Sequence, residues 1–81
     1  MNVTYRIDKD ILYIAIEGRI DASNAAEAEE KIFSIKNDNP GKHTVLDADK
    51  LEYISSAGLR VILRLRKEEA KLAIINVASD V

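Results

Sequence analysis

Leu51-Glu52-Tyr53-Ile54-Ser55-Ser56-Ala57-Gly58-Leu59-Arg60 is the stretch on which the reading of this chain turns. Small polar residues sit here at the junction of an expected strand and an expected helix. Upstream, Thr44-Val45-Leu46-Asp47-Ala48 reads as a short, mostly apolar strand. Downstream, Leu59, Ile62 and Leu63 recur at i, i+3 and i+4, the spacing of one helix face. Ser55 and Ser56 are both good N-cap residues, because a hydroxyl accepts from the orphan amides of a first helical turn. A serine in that place lies at the positive end of the helix dipole, which favours added negative charge. The turn is chemically suited to carry a phosphate.

Outward from this point the chain divides cleanly. Val3, Tyr5 and Ile7 alternate with polar residues, the period of a half-buried strand. Asp8-Lys9-Asp10 supplies a polar turn. Ile11 to Glu17 follows as a second strand, apolar on both faces and therefore interior. The two strands form an antiparallel hairpin that Gly18 is expected to end. Asp21-Ala22-Ser23-Asn24 reads as a helix entrance, with Asn24 and Glu27 in capping-box relation. The helix runs to about Lys36, with Ala25, Ala28, Ile32 and Ile35 on one stripe, and its Glu27, Glu29 and Glu30 read as a solvated face. Asn37 to Gly41 is a turn. The second helix spans Ala57 to about Glu69, with Arg60, Arg64 and Lys67 as a basic stripe that either meets acidic groups of a partner or, as is more usual, is simply solvated. Leu72 to Val77 is the last strand, and Ala78-Ser79-Asp80-Val81 looks like the start of another helix capped by Ser79. The order β, β-α-β-α-β with right-handed crossovers puts both helices on one face of a mixed sheet. Val45, Ile62, Leu63, Ile74 and Ile75 are core candidates.

Composition narrows the function classes. The chain has 81 residues, room for one small domain with a thin core. Apolar residues make up 47 % and no cysteine is available as a staple. The net charge of −2 gives no electrostatic case for nucleic acid or membrane binding. No apolar run has transmembrane length and no signal peptide is evident, so a cytoplasmic location is the default. His43, the sole histidine, has no cysteine and no suitably spaced carboxylate with which to bind a metal. Asp47 and Asp49 at a strand end serve turn hydrogen bonding. Ser56 and His43 lack a Gly-x-Ser-x-Gly context and an oxyanion loop. Gly18, Gly41 and Gly58 are too scattered for a phosphate-cradling loop. No enzyme and no cofactor are expected, and on residue chemistry alone Ser56 reads as a helix cap.

Two ordered motifs change that weighting. VLDADKLEYISSAGLRVIL contains Asp47, then Tyr53, Ser55, Ser56, Ala57, Gly58 and Leu59. Gly18-Arg19-Ile20-Asp21 precedes the first helix. Together, over about Leu12 to Val77, they resemble the STAS domain, and within it the free-standing bacterial anti-sigma factor antagonists. The resemblance implies a small α/β fold with an N-terminal hairpin followed by right-handed βαβαβ. It implies one domain over residues 1–81, lacking the C-terminal helix that relatives carry. It further implies a non-enzymatic regulator that binds an anti-sigma factor serine kinase and so releases a sigma factor. Phosphorylation of Ser56, with Ser55 as fallback, would switch binding off, and a PP2C-type phosphatase would restore it. The partner surface so implied comprises Asp21, Ser23, Asn24, Ser55, Ser56, Ala57, Gly58, Leu59 and Arg60. Gly58 is needed because a side chain would crowd the approaching partner or the helix packing, or else it is an ordinary small residue in a first helical turn. The alternative is a non-switching STAS scaffold that works through constitutive contacts or as a homo-oligomer. Nucleotide binding is a weaker third reading.

Overall fold

The second strand organises the computed structural model, which describes residues 1–77. It runs from Ile11 to Ile20 (β2) and pairs on both sides. Asn2–Asp8 (β1) lies antiparallel to it, with Tyr5 opposite Ile14. The connection is a two-residue loop, Lys9-Asp10, in which Lys9 takes φ 55°, the positive φ that two-residue hairpin turns require at their first central position. On the other side, His43–Asp47 (β3) lies parallel, with Ile14 opposite Leu46. Ala73–Ile75 (β5) extends the sheet beyond β3. The order is β1-β2-β3-β5. His43 is thus the first residue of a strand.

Both helices cover the same face. Ala25–Asp38 (α1) is built of alanine, glutamate and lysine, strong helix formers, and sets Ala25, Ala28 and Ile32 inward. Ser56–Glu68 (α2) sets Gly58, Val61 and Leu65 inward. Between them and the sheet lie Leu12, Ile14, Ile16, Ile20 and Leu46, all buried. Full burial of such side chains contributes about 1.5–3 kcal/mol each and is the main force holding the layers together. The opposite face carries Thr4, Arg6, Tyr13, Ala15 and Asp47, with no helix on it among the described residues.

Several expectations need correction. Gly18 does not end β2: the strand passes through it at φ +89° and continues to Ile20. The Asn24–Glu27 capping box is not formed, because the Asn24 side chain is spent elsewhere. Leu51–Ile54 is a strand in its own right (β4), so the order is β-β-α-β-β-α-β. It pairs in parallel with the far end of β2, Gly18 opposite Leu51 and Arg19 opposite Tyr53, which leaves Glu52 as a bulged residue. Leu63 is 64 % exposed and Ile74 is 44 % exposed, so neither is core. Val45 is buried and Ile75 half-buried, but on the open face of the sheet beside Tyr13 and Asp47. The expected helix start at Ala78, with its Ser79 cap, lies outside the described residues.

Candidate functional site

The two sequence motifs meet as neighbouring strands. Ile20 and Ile54 are register partners, and the Ser55 amide donates to the Ile20 carbonyl at 2.8 Å. Asp21 and Ser55 therefore leave the same end of the sheet side by side. The turns that follow them, into α1 and α2 respectively, form one surface.

The serine turn divides its labour. Ser55 has extended backbone (φ −83°, ψ 174°), and its Oγ accepts from the Gly58 amide at 3.2 Å. Its carbonyl accepts from the Leu59 amide at 2.9 Å, closing the first turn of α2. Ser55 is the cap, a role worth about 1 kcal/mol. Ser56, expected as a cap on residue chemistry, is instead the first helical residue and is exposed. Its hydroxyl takes no part in the cap. No acidic residue occupies the first turn of α2, so nothing on the helix opposes negative charge there. Arg60 is exposed one turn further along, at i+4 from Ser56.

Gly58 is buried where α2 crosses β2 and β4. A Cβ at this position would lie 2.7 Å from Ile54 Cγ1 and 2.8 Å from Ile20 Cγ2. Glycine here serves helix packing, one of the readings open for it from the sequence. That contact also fixes the roll of the helix. With Gly58, Val61 and Leu65 turned to the sheet, Ala57 and Ile62 pack at the margins of the core and Leu59 is left half-exposed.

The Asp21 turn is held by its own side chains. The Ser23 hydroxyl and amide both donate to Asp21 Oδ1, and the hydroxyl contact is the larger cause of a carboxyl pKa below the usual 3.8. Asn24 Oδ1 accepts from the Asp21 amide at 2.9 Å, while its Nδ2 donates to the Arg19 carbonyl at 2.9 Å. Ser23 is exposed, with Asp21 and Asn24 half-buried next to it. Asp21, Ser23 and Asn24 thus shape the rim of the serine turn and keep one carboxylate ionised at it.

The structure adds a pair that the sequence reading left out of the site. The Arg19 guanidinium lies 4.4 Å from the centre of the Tyr53 ring, a cation–π stack across the β2–β4 register. Only the register reveals it, since the two residues are far apart in the chain. The basic stripe, in contrast, is split. Arg64 Nη1 donates to Glu29 Oε2 at 2.6 Å and ties α2 to α1, whereas Arg60 and Lys67 remain exposed. Asp47 lies outside this surface. It accepts from Asn76 Nδ2 and from the Asp49 amide, each at 3.0 Å, and the Asn76 contact chiefly holds its carboxyl below the usual value.

No helix among the described residues is long and apolar enough to cross a membrane. The model of the STAS domain matches residues 2–81. BtrV of Bordetella bronchiseptica, named as a candidate anti-sigma factor antagonist, is 36 % identical over 58 residues, which is 72 % of this chain. The chain spans about half of that relative's length (49 %). An anti-sigma factor antagonist from Mycobacterium paratuberculosis superposes with TM-score 0.77 at 18 % identity, over 90 % of this chain and 64 % of that one. The unphosphorylated form of the anti-sigma factor antagonist SpoIIAA superposes with TM-score 0.70 at 17 % identity, over 98 % of this chain and 76 % of that one. These superpositions show a shared fold, and the match to the domain model along nearly the whole chain shows that this protein belongs to the STAS domain family.

Proposed function

We propose that this chain is an anti-sigma factor antagonist whose binding to an anti-sigma factor kinase is switched by phosphorylation of Ser56. The observation that carries the reading is the division of labour at the turn. Ser55 spends its hydroxyl on the helix cap, and Ser56, next to it, presents a free hydroxyl at the positive end of α2. Relatives of this chain bear the antagonist name, which supports the partner class. A phosphoryl group on Ser56 adds about −1.5 to −2 charges. The helix dipole and Arg60 favour that charge within the folded chain, so the fold survives modification. In a complex the same group must lose its hydration against the docked partner. A penalty of about 2.7 kcal/mol weakens binding about a hundredfold. Removal of the phosphate by a phosphatase restores docking.

The test uses an extract of the cells that make the protein, with labelled ATP as phosphate donor. The parent and Ser55→Asp should incorporate one phosphate, since aspartate keeps a good cap while deleting the Ser55 hydroxyl. Ser56→Ala should incorporate none. Labelling of Ser56→Ala, or none in any form, would refute the assignment. Ser56→Asp should remain folded yet fail to bind the kinase so identified.

A further inference from the structure

We propose that the free edge of β1 pairs with β1 of a second copy of this chain, antiparallel and centred on Tyr5, to make a two-fold dimer with one continuous sheet. The inference is independent of the phosphorylation reading, because β1 pairs with residues 11–17 of β2 and the serine turn hangs from residues 18–20.

The direction of the unpaired backbone follows from one hydrogen bond. The Asp10 carbonyl accepts from the His43 amide at 2.8 Å, so the even-numbered residues of β2 direct their backbone groups to β3. The odd-numbered ones face β1, where Ile11, Tyr13 and Ala15 stand opposite Asp8, Arg6 and Thr4. Val3, Tyr5 and Ile7 are left with their amides and carbonyls pointing off the sheet. Their side chains lie on the helix-covered face, yet Tyr5 is 52 % and Ile7 is 44 % exposed at its margin.

This edge also lacks the usual guards. β1 contains no proline and no bulge. Its one mid-strand charge, Arg6, is folded back over the Tyr13 ring at 3.9 Å on the open face, leaving the edge clear. Charge and polarity then select the occupant. Centring on Tyr5 sets Val3 against Ile7 of the second copy, Thr4 against Arg6 and Asn2 against Asp8, with no like-charge pair. It yields about six backbone hydrogen bonds and one unbroken apolar strip from the two copies. Moving the register one pair toward the hairpin sets Arg6 against Arg6, which is destabilising, and moving it one pair back leaves Ile7 and Asp8 unpaired.

Cysteine placement tests the register, since the chain has no cysteine of its own. In the proposed pair, two Tyr5→Cys copies hold their Cα atoms about 5.5 Å apart, within the disulfide range. Two Val3→Cys copies hold theirs roughly 14 Å apart. Mild oxidation should link Tyr5→Cys into a covalent dimer and leave Val3→Cys monomeric. Sedimentation of the unmodified chain should show a concentration-dependent dimer, which Tyr5→Lys weakens at least about tenfold while circular dichroism stays that of the parent. A parent that remains monomeric from micromolar to millimolar concentration would overturn the proposal. Equal cross-linking of both cysteine variants would also overturn it, as would a dimer unaffected by Tyr5→Lys.

Discussion

Replacing Gly58 by alanine sets two effects of known size against each other. Alanine favours a helix over glycine by about 1 kcal/mol, so on propensity alone the variant is the more stable protein. The added methyl, however, would meet Ile54 Cγ1 at 2.7 Å and Ile20 Cγ2 at 2.8 Å. Comfortable carbon contacts lie near 3.5–4.0 Å, so a gap of roughly 0.7–1.3 Å must open. Ile20 is fully buried and its branched side chain has one strongly preferred rotamer, so it yields little. Ile54 Cγ1 is next to the branch point of a β-branched side chain, so it can move away only by leaving its preferred rotamer. Overpacking of this kind costs about 1–3 kcal/mol. The net expectation is a loss of about 1 kcal/mol, or a drop in Tm of roughly 4–8 °C for a domain this small. Urea unfolding followed by circular dichroism measures it; tryptophan fluorescence cannot, because the chain has no tryptophan. Adding Ile54→Ala opens space for the methyl, so the double variant should be more stable than additivity predicts by at least about 0.5 kcal/mol. A Gly58→Ala protein more stable than the parent, with effects that add to those of Ile54→Ala, would refute the close-packing account.

Four other substitutions probe separate parts of the structure. Ser55→Ala should cost about 1 kcal/mol by loss of the cap, whereas Ser56→Ala should stay within about 0.5 kcal/mol of the parent; the comparison needs only unfolding curves. Thr44 is wholly buried and its Oγ1 has no hydrogen-bond partner among the described residues, so Thr44→Val should raise stability by about 1 kcal/mol in the same assay. Asn76→Gly keeps the left-handed backbone (φ 58°) while removing the donor that depresses the Asp47 pKa. A carboxyl with a lowered folded pKa lends stability above its unfolded value of about 3.8 and loses it as pH falls through the folded one. The gap in stability between parent and Asn76→Gly should therefore be widest above that pH and shrink steadily in more acid solution.

Elements that carry their own periodic signal were legible in the sequence. The hairpin, α1, β3 and the capped entrance to α2 all appear within a few residues of their places. Elements defined by a partner were not. Leu51–Ile54 has too few residues to show alternation, and it becomes a strand only because Gly18–Ile20 lies beside it. The roll of α2 was misjudged for a related reason. Leu59, Ile62 and Leu63 offer an apolar spacing, but the helix sits down on Gly58, a residue with no apolar side chain to advertise the contact. Gly18 reads as a strand end, and only the bulge beside it shows that the chain passes through. Within the site, Ser56 and its neighbours were found by motif. The assignment of the cap to Ser55 depends on a single hydrogen bond, and the Arg19–Tyr53 stack on a register that no local pattern encodes.

The strand-to-strand union of the two motifs also bears on how the protein opens and closes. Gly18 and Ser55 each give an amide to the other strand, to the carbonyls of Lys50 and Ile20. Each turn is shaped by its own hydrogen bonds, and the seam sets where the two stand relative to each other. In native-state hydrogen exchange these two amides should behave as one cooperative unit and exchange at a common free energy. The seam joins stretches that α1 and β3 separate in the chain, so it is a non-local contact.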